Sequence, residues 1–171
     1  LKAAIRGDDP VLFMEHKGLY RQGYASSPEP SADYLLPFGV AATRREGTDV
    51  TVVTWGYLVQ QSLEAARSAE QKGISVEVID LRTLNPLDEA TIYASVRKTG
   101  KVIVAHEDTL TGGFGAEIVA RITENCFEHL DASVRRVAAK DIPVPYSPTL
   151  EDAMLPNKND VLAAIEYVAS Y

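Results

Sequence analysis

Short β-branched runs alternate with longer segments of mixed apolar and polar residues from residue 39 onward. A run such as VTVVT has the length of a strand, and the longer segments carry apolar residues at helical spacing. Strands that alternate with helices in this way predict a mostly parallel sheet with helices on both faces. We predict strands over residues 40–45, 50–54, 75–79, 102–105 and 133–137, and helices over residues 59–72, 88–97, 115–130 and 159–170.

The first 37 residues lack this alternation. Residues 1–6 resemble the end of a helix, VLFME at residues 11–15 has the composition of a buried strand, and residues 16–37 contain scattered glycines and prolines without a sustained period. We therefore predict an extended arm. Its tyrosines exceed what a flexible tether needs, so we expect the arm to lie against a surface. The candidate interface residues are Tyr20, Tyr24, Tyr34 and Trp55.

The composition argues against several classes of protein. Apolar residues make up 46% of the chain and charged residues 24%, which are values of a folded globular domain. A net charge of −7 argues against sequence-independent binding of nucleic acid and against an anionic membrane surface as a partner. The longest apolar runs are far shorter than the ~20 residues that a membrane-spanning helix needs. Because the chain starts without methionine or a signal sequence, we expect a piece of a longer protein that is not secreted.

Cysteine and histidine form no pattern typical of a metal site or a disulfide framework. Cys126 is the only cysteine and lies on a predicted helix, so we expect an inert buried thiol. His16, His106 and His129 are too scattered to predict a zinc site.

Polar residues and glycines are concentrated at one point, directly after the predicted strand at residues 102–105. In the run HEDTLTGGFG, charged and hydroxyl side chains are followed by a glycine-rich turn and then by a helix. In an open α/β sheet, ligands and partners bind at this edge. The candidate residues for an anion site or a partner site are His106, Glu107, Gly112, Gly113 and Gly115.

Three interpretations of this edge are open. A glycine-rich turn that leads into a helix N-terminus can bind an anion, although nearby acidic residues oppose a phosphate and no nucleotide motif is present. His106 and Glu107 could act as an acid–base pair, but neighbours on a strand point to opposite faces. The third interpretation is structural, with glycines that allow close packing of strand and helix, and we favour it.

Two other residues have a structural and a functional interpretation. Arg82 could bind an anion, but an arginine that closes a loop onto Asp80 or Asp88 is more common. Trp55 could mark a ligand pocket, but an aromatic residue of the core or of an interface is the favoured interpretation.

Several motifs together resemble one known family. They are YRQGY in the arm, VTVVTWG, IDLRTLNPLD, KTGKVIVAHEDTLTGGFGAEI and DIPVPY. The chain resembles the C-terminal portion of the E1 β subunit of thiamine-diphosphate-dependent 2-oxo acid dehydrogenase complexes. The later run ENCFEHLDASVRRV is most similar to the branched-chain, 2-oxoisovalerate type, which we favour over the pyruvate type.

The resemblance implies a three-layer α/β/α sandwich around a five-stranded mixed sheet. Residues 1–17 would be the tail of a preceding pyrimidine-binding domain, residues 18–37 a linker arm, and residues 38–171 a transketolase-type C-terminal domain. Thiamine diphosphate and magnesium would be bound outside this segment in the intact enzyme, because the sequence has no G-D-G motif. The resemblance assigns no catalytic, cofactor-binding or metal-binding residue here.

The resemblance also implies partners. They are the E1 α subunit, a second E1 β subunit and the E2 subunit-binding domain, with Tyr171 as a candidate docking residue. A bacterial cytoplasm or a mitochondrial matrix is the expected location. The alternative hypothesis is an autonomous α/β domain that binds a nucleotide or another anion at the edge formed by residues 106–115.

Overall fold

The computed structural model describes all 171 residues. Its strands are β1 (Ala42–Arg45), β2 (Val50–Thr54), β3 (Val76–Asp80), β4 (Val102–Thr109) and β5 (Arg135–Ala139). Its α-helices are α1 (Lys2–Arg6), α2 (Leu58–Glu70), α3 (Glu89–Thr99), α4 (Gly115–Cys126), α5 (Pro148–Met154) and α6 (Lys158–Ala169). None of the helices has the length and apolar character needed to cross a membrane.

The five strands form one mixed sheet in the order β1-β3-β2-β4-β5. Strands β3, β2, β4 and β5 are parallel, and β1 pairs antiparallel with β3 at one edge. Every residue of the central strand β2 is buried, as expected for a strand covered on both faces. The predicted mixed sheet is confirmed.

Two helical layers cover the sheet. Helices α2 and α6 pack on one face, where Val52 of β2 and Ile103 of β4 belong to their core. Helices α3 and α4 pack on the other face against Val53 and Val104. Since neighbouring residues of a strand point to opposite faces, the three inner strands β2, β3 and β4 contribute to both cores. The sandwich has the three layers that the resemblance implied.

Local sequence determines where these helices begin and end. The Asp88 carboxylate caps α3 by accepting hydrogen bonds from the backbone N–H and the hydroxyl of Thr91, at 3.1 and 2.7 Å. Gly100 ends α3 in the left-handed region, with φ of 65°. Asn157 and Asp160 form a capping box at the start of α6.

The structure differs from the predicted elements in three places. Residues 11–15 form no strand, and Leu12 is 92% exposed, because no other segment of the chain pairs with them. The helix predicted over residues 115–130 is shorter, because α4 ends at Cys126 and a 3-10 turn follows, which leaves Phe127 73% exposed. Helix α5 was not predicted; it begins at a proline, which suits the first turn of a helix.

A buried polar cluster lies between α3 and the sheet. Glu77 of β3 is 3% exposed and accepts hydrogen bonds from the Ser95 hydroxyl and the Lys98 ammonium group. Burial alone would raise the pKa of Glu77, but these two bonds, a contact with Glu46 and the positive charge of Lys98 together hold the pKa below its usual value. Thr51 of β2 hydrogen-bonds Ser95 and Thr99, at 2.7 and 2.8 Å, so the cluster joins two strands to α3.

The cluster predicts an asymmetric response to mutation. Lys98→Met leaves the buried Glu77 carboxylate without its cation and should lower the free energy of unfolding by about 3 kcal/mol. Glu77→Gln leaves Lys98 free to reach water and should cost about 1–2 kcal/mol. Lys72→Met is the matched control, because Lys72 forms an exposed pair with Glu166, and we expect a loss below about 0.5 kcal/mol. Urea denaturation measures all three, and equal losses for the two lysine variants would contradict the analysis.

Candidate functional site

The polar residues after residue 105 do not lie beyond the strand, as predicted, but extend it. Strand β4 continues to Thr109, and its pairing with β5 shifts register between Ala105 and Thr109. His106 and Glu107 therefore point to opposite faces of the sheet. His106 is fully buried on the α3 and α4 side, whereas Glu107 contacts His16 of the arm at 3.1 Å. The two side chains do not converge on one substrate atom, which argues against an acid–base pair.

His106 packs as an aromatic side chain. Its ring stacks on Trp55, with the centroids 5.3 Å apart and the planes 2° from parallel. Neither ring nitrogen has a hydrogen-bond partner. Burial lowers the pKa of His106; the Asp108 carboxylate opposes this shift and the Arg136 guanidinium adds to it. His106 is thus a neutral imidazole held by packing.

The glycine-rich turn lies directly against the His106 ring. A Cβ atom on Gly113 would lie 2.6 Å from Cε1 of His106 and would also overlap the Thr109 carbonyl oxygen. A Cβ atom on Gly115 would overlap the ring itself at Cδ2 and Nε2. Gly112 has a φ of 77°, which lies in the left-handed region that a residue with a Cβ atom rarely adopts. Close packing therefore explains Gly113 and Gly115, and the turn geometry explains Gly112.

The N-terminus of α4 has few free donors for an anion. The backbone N–H of Ala116 donates to the Gly113 carbonyl at 3.0 Å, and that of Glu117 donates to the Phe114 carbonyl at 3.1 Å. The N–H of Ile118 also donates to the Phe114 carbonyl, at 3.3 Å. The Glu117 carboxylate adds negative charge to this first turn. These contacts argue against an anion site here and favour the structural interpretation.

A shallow cleft of about 600 Å³ lies between the loop after β3 and the turn after β4. Leu84, Leu87 and Phe114 give it an apolar lining. Its one cation, Arg121, is held by Glu117 at 2.7 Å and by Glu89 at 2.5 Å. No group of three or more histidine, cysteine, aspartate or glutamate side chains in the chain could hold a metal ion. The lining of the cleft is thus mixed, and its cation is already paired with two carboxylates.

Asp141 ties this turn to the end of β5. Its carboxylate accepts hydrogen bonds from the backbone N–H and the hydroxyl of Thr111, at 2.8 and 2.7 Å. These bonds lower the pKa of Asp141. The Arg136 guanidinium donates to the Leu110 carbonyl at 2.6 Å. The turn after β4 is therefore fastened to the neighbouring strand.

Arg82 contacts Asp80 through its backbone N–H. Its N–H donates to the Asp80 carboxylate at 3.3 Å, and Arg82 has a φ of 58°, which is unusual for a residue with a side chain. Burial raises the pKa of Asp80, while the guanidinium of Arg44, 3.3 Å away, opposes this shift. The side-chain partner of Asp80 is thus Arg44, and the predicted closure of the loop by the Arg82 guanidinium was wrong.

The candidate interface residues lie in different surroundings. Tyr20, Tyr24 and Tyr34 are exposed on the arm, whereas Trp55 packs within the domain between His106 and Phe114. Tyr171 is exposed, and its hydroxyl hydrogen-bonds that of Tyr167 at 2.8 Å. The interface role of the tyrosines and Trp55 and the docking role of Tyr171 stay predictions.

Sequence reasoning missed the position of His16. Its ring stacks on Tyr57, and its Nε2 atom hydrogen-bonds the carboxylate of Glu107, which lies 91 residues away along the chain. No local signal in the sequence relates residues so far apart. This contact joins the arm to the sheet.

The glycine turn yields a second prediction. Gly115→Ala and Gly113→Ala should each lower the free energy of unfolding by about 2 kcal/mol, because a methyl group must displace a buried ring or a carbonyl. In the background of His106→Ala, the cost of Gly115→Ala should fall by at least about 1 kcal/mol, since the obstructing ring is gone.

Gly23→Ala is the matched control, because nothing lies within 4 Å of the added atom and its φ is not left-handed. Urea denaturation of the single and double variants measures these costs. If the losses in free energy of unfolding of His106→Ala and Gly115→Ala simply add, the His106 ring is not the reason why residue 115 must be glycine.

Comparison with known proteins gives one consistent family. Residues 39–161 match the family model described as the transketolase C-terminal domain. The chain is 46% identical over 172 residues to the 2-oxoisovalerate dehydrogenase subunit beta of Bacillus subtilis (strain 168), covering 100% of this chain and 52% of that subunit. It is 46% identical over 165 residues to the mitochondrial pyruvate dehydrogenase E1 component subunit beta-1 of Arabidopsis thaliana, covering 96% of this chain and 46% of that subunit.

A solved structure agrees with this assignment. The inactive beta4 tetramer of a split-gene transketolase superposes with a TM-score of 0.67 at 30% identity, covering 84% of this chain and 46% of that one. The chain spans about half the length of the curated relatives it matches. The matched domain includes the whole sheet and the edge at residues 106–115. This chain belongs to the transketolase C-terminal domain family.

Proposed function

We propose that this chain is the C-terminal portion of an E1 β subunit of a thiamine-diphosphate-dependent 2-oxo acid dehydrogenase. In the intact complex it would support oxidative decarboxylation of a 2-oxo acid and acyl transfer to the lipoyl groups of E2. One observation carries the proposal: the similarity to β subunits covers 96–100% of the chain, so it includes the arm that precedes the matched domain.

The geometry favours a role in assembly over chemistry within this segment. His106 is buried against Trp55, and Glu107 points away from it. The N–H groups of Ala116, Glu117 and Ile118 in the first turn of α4 already have carbonyl partners. The autonomous nucleotide- or anion-binding domain is supported neither by these contacts nor by the relatives.

The domain organisation is part of the proposal. Residues 1–17 would end a pyrimidine-binding domain, residues 18–37 would form the linker, and residues 38–171 would form the C-terminal domain. The family match begins at residue 39, next to the proposed boundary. The exposed side chains of Leu12 and Met14 would then be covered by the preceding domain.

Thiamine diphosphate and magnesium would be bound outside this segment. The residues present do not fit either group. No G-D-G motif occurs in the sequence. Arg121, the one cation that lines the cleft, is neutralised by Glu89 and Glu117. The segment would therefore contribute no step to the chemistry of the cofactor. Its part would be to hold subunits together.

The proposed partners are the E1 α subunit, a second E1 β subunit and the E2 subunit-binding domain. The arm tyrosines would contribute to subunit contacts, because aromatic residues with polar tips are enriched in interfaces. Tyr171, which is exposed at the end of α6, would contact the E2 domain. The proposed substrate is a branched-chain 2-oxo acid, and the proposed location is a bacterial cytoplasm or a mitochondrial matrix.

A comparison of the isolated chain with the assembled enzyme tests the proposal. The isolated chain should neither turn over 2-oxo acids nor bind thiamine diphosphate at micromolar concentration in calorimetry. The complete β subunit, assembled with its α subunit, should decarboxylate 2-oxoisovalerate with a higher kcat/KM than pyruvate. Turnover or tight cofactor binding by the isolated chain would contradict the proposed role, and a preference for pyruvate would overturn the substrate assignment.

A further inference from the structure

The arm has a single polar connection to the rest of the molecule. Residues 1–37 form hydrogen bonds among themselves, such as those from the Lys2 ammonium group to the Ser31 and Ala32 carbonyls. The pair between His16 and Glu107 is the only hydrogen bond between residues 1–37 and residues 38–171. This pair is therefore the one hydrogen-bonded attachment of the arm to residues 38–171.

His16 is held from three directions. Its Nε2 atom lies 3.2 Å from Oε1 and 3.1 Å from Oε2 of Glu107. Its ring stacks on Tyr57, with the centroids 5.3 Å apart and the planes 13° from parallel. On the far edge of the ring, a Cβ atom at Gly18 would lie 2.9 Å from Cε1 and 3.1 Å from Nδ1, so the backbone of the arm itself closes over the imidazole.

The residues that hold His16 are parts of the rigid domain. Glu107 lies on β4, and Tyr57 directly precedes α2. The side chains of His16 and Glu107 are only 37% and 25% exposed, so the contact is partly shielded from water. A hydrogen bond to a charged group in such surroundings is stronger than an exposed one.

We propose that His16, Tyr57 and Glu107 form a clasp that fixes the arm to the carboxyl edge of the sheet. With the clasp closed, the chain before residue 16 leaves the domain from one defined point on the face covered by α2 and α6. In this proposal His16 is a positioning residue. If the proposed domain organisation is correct, the clasp also fixes the preceding domain relative to this one.

The clasp and the packing around His106 lie on opposite faces of the sheet, at the ends of the same two strands. Glu107 and His106 are neighbours on β4, and Tyr57 and Trp55 flank Gly56 after β2. One face of the sheet thus carries the stack of His16 on Tyr57, and the other carries the stack of His106 on Trp55. The tight packing on the second face keeps the backbone of the clasp in place.

Native-state proteolysis of this chain tests the clasp directly. Trypsin can cut after Arg21, an exposed residue of the arm that lies five positions beyond His16. Cleavage requires the arm to open, so its rate reports the population of the open arm when opening is fast. His16→Ala and Glu107→Gln should each raise the rate of cleavage after Arg21 about tenfold, the effect of losing roughly 1.4 kcal/mol of local contact energy.

Two controls separate the clasp from other effects. His129→Ala removes an exposed histidine, and Tyr57→Phe keeps the aromatic stack; neither should change the rate more than about twofold. The double variant of His16→Ala and Glu107→Gln should be cleaved no faster than the faster single variant, because both remove the same contact. Circular dichroism of every variant checks that the domain stays folded.

Unchanged cleavage in both His16→Ala and Glu107→Gln would overturn the clasp. Wild-type cleavage as fast as that of a synthetic peptide of residues 16–30 would overturn it as well, because the arm would then be open already. The assay contains no α subunit, cofactor or 2-oxo acid. Its outcome is therefore independent of whether the proposed enzymatic function is correct.

Discussion

The packing of the His106 ring between Trp55 and a glycine-rich turn is the contact on which the rest of this edge depends. A buried imidazole with no hydrogen-bond partner is tolerated only as a neutral ring in close packing. That packing requires Gly113 and Gly115, because a side chain at either position would overlap the ring or the neighbouring backbone. It also fixes the direction in which α4 leaves the sheet.

This constraint accounts for the positions of the polar residues at the end of β4. His106 faces the layer of α3 and α4, where its ring is buried by packing. Glu107 faces the layer of α2 and α6 and hydrogen-bonds His16 of the arm. Asp141 is bound to Thr111, and Arg121 is bound to two glutamates. Each of these four side chains thus serves a contact within the chain.

The elements with strong local signals could be predicted from the sequence. The central strands follow from their β-branched runs, and α3 and α6 follow from apolar periodicity with capping residues at Asp88 and Asn157. The close packing of the glycines was also a correct interpretation, because the residue type itself limits the alternatives. The alternation of side chains along a strand also predicted correctly that His106 and Glu107 point to opposite faces.

The remaining features depend on tertiary contacts that no local pattern contains. Residues 11–15 have the composition of a strand, but a strand also needs a neighbour, and none of the chain pairs with them. The contact of His16 with Glu107 joins residues 91 positions apart. Asp80 is paired with Arg44 from the antiparallel edge strand and not with the guanidinium of nearby Arg82, because sheet order decides which arginine is adjacent.

The state of the His106 ring is the most direct test of this account. The chain has three histidines, so nuclear magnetic resonance can follow each imidazole through a pH titration, with His106→Phe identifying the resonance of residue 106. Because its pKa is lowered by burial, His106 should stay neutral below pH 6.5, where free histidine becomes charged. The unfolded state then binds more protons, so the stability that the neutral ring contributes should fall as the pH drops below about 6.5. A His106 ring that titrates at or above pH 6.5 would contradict the conclusion that this edge is built for packing.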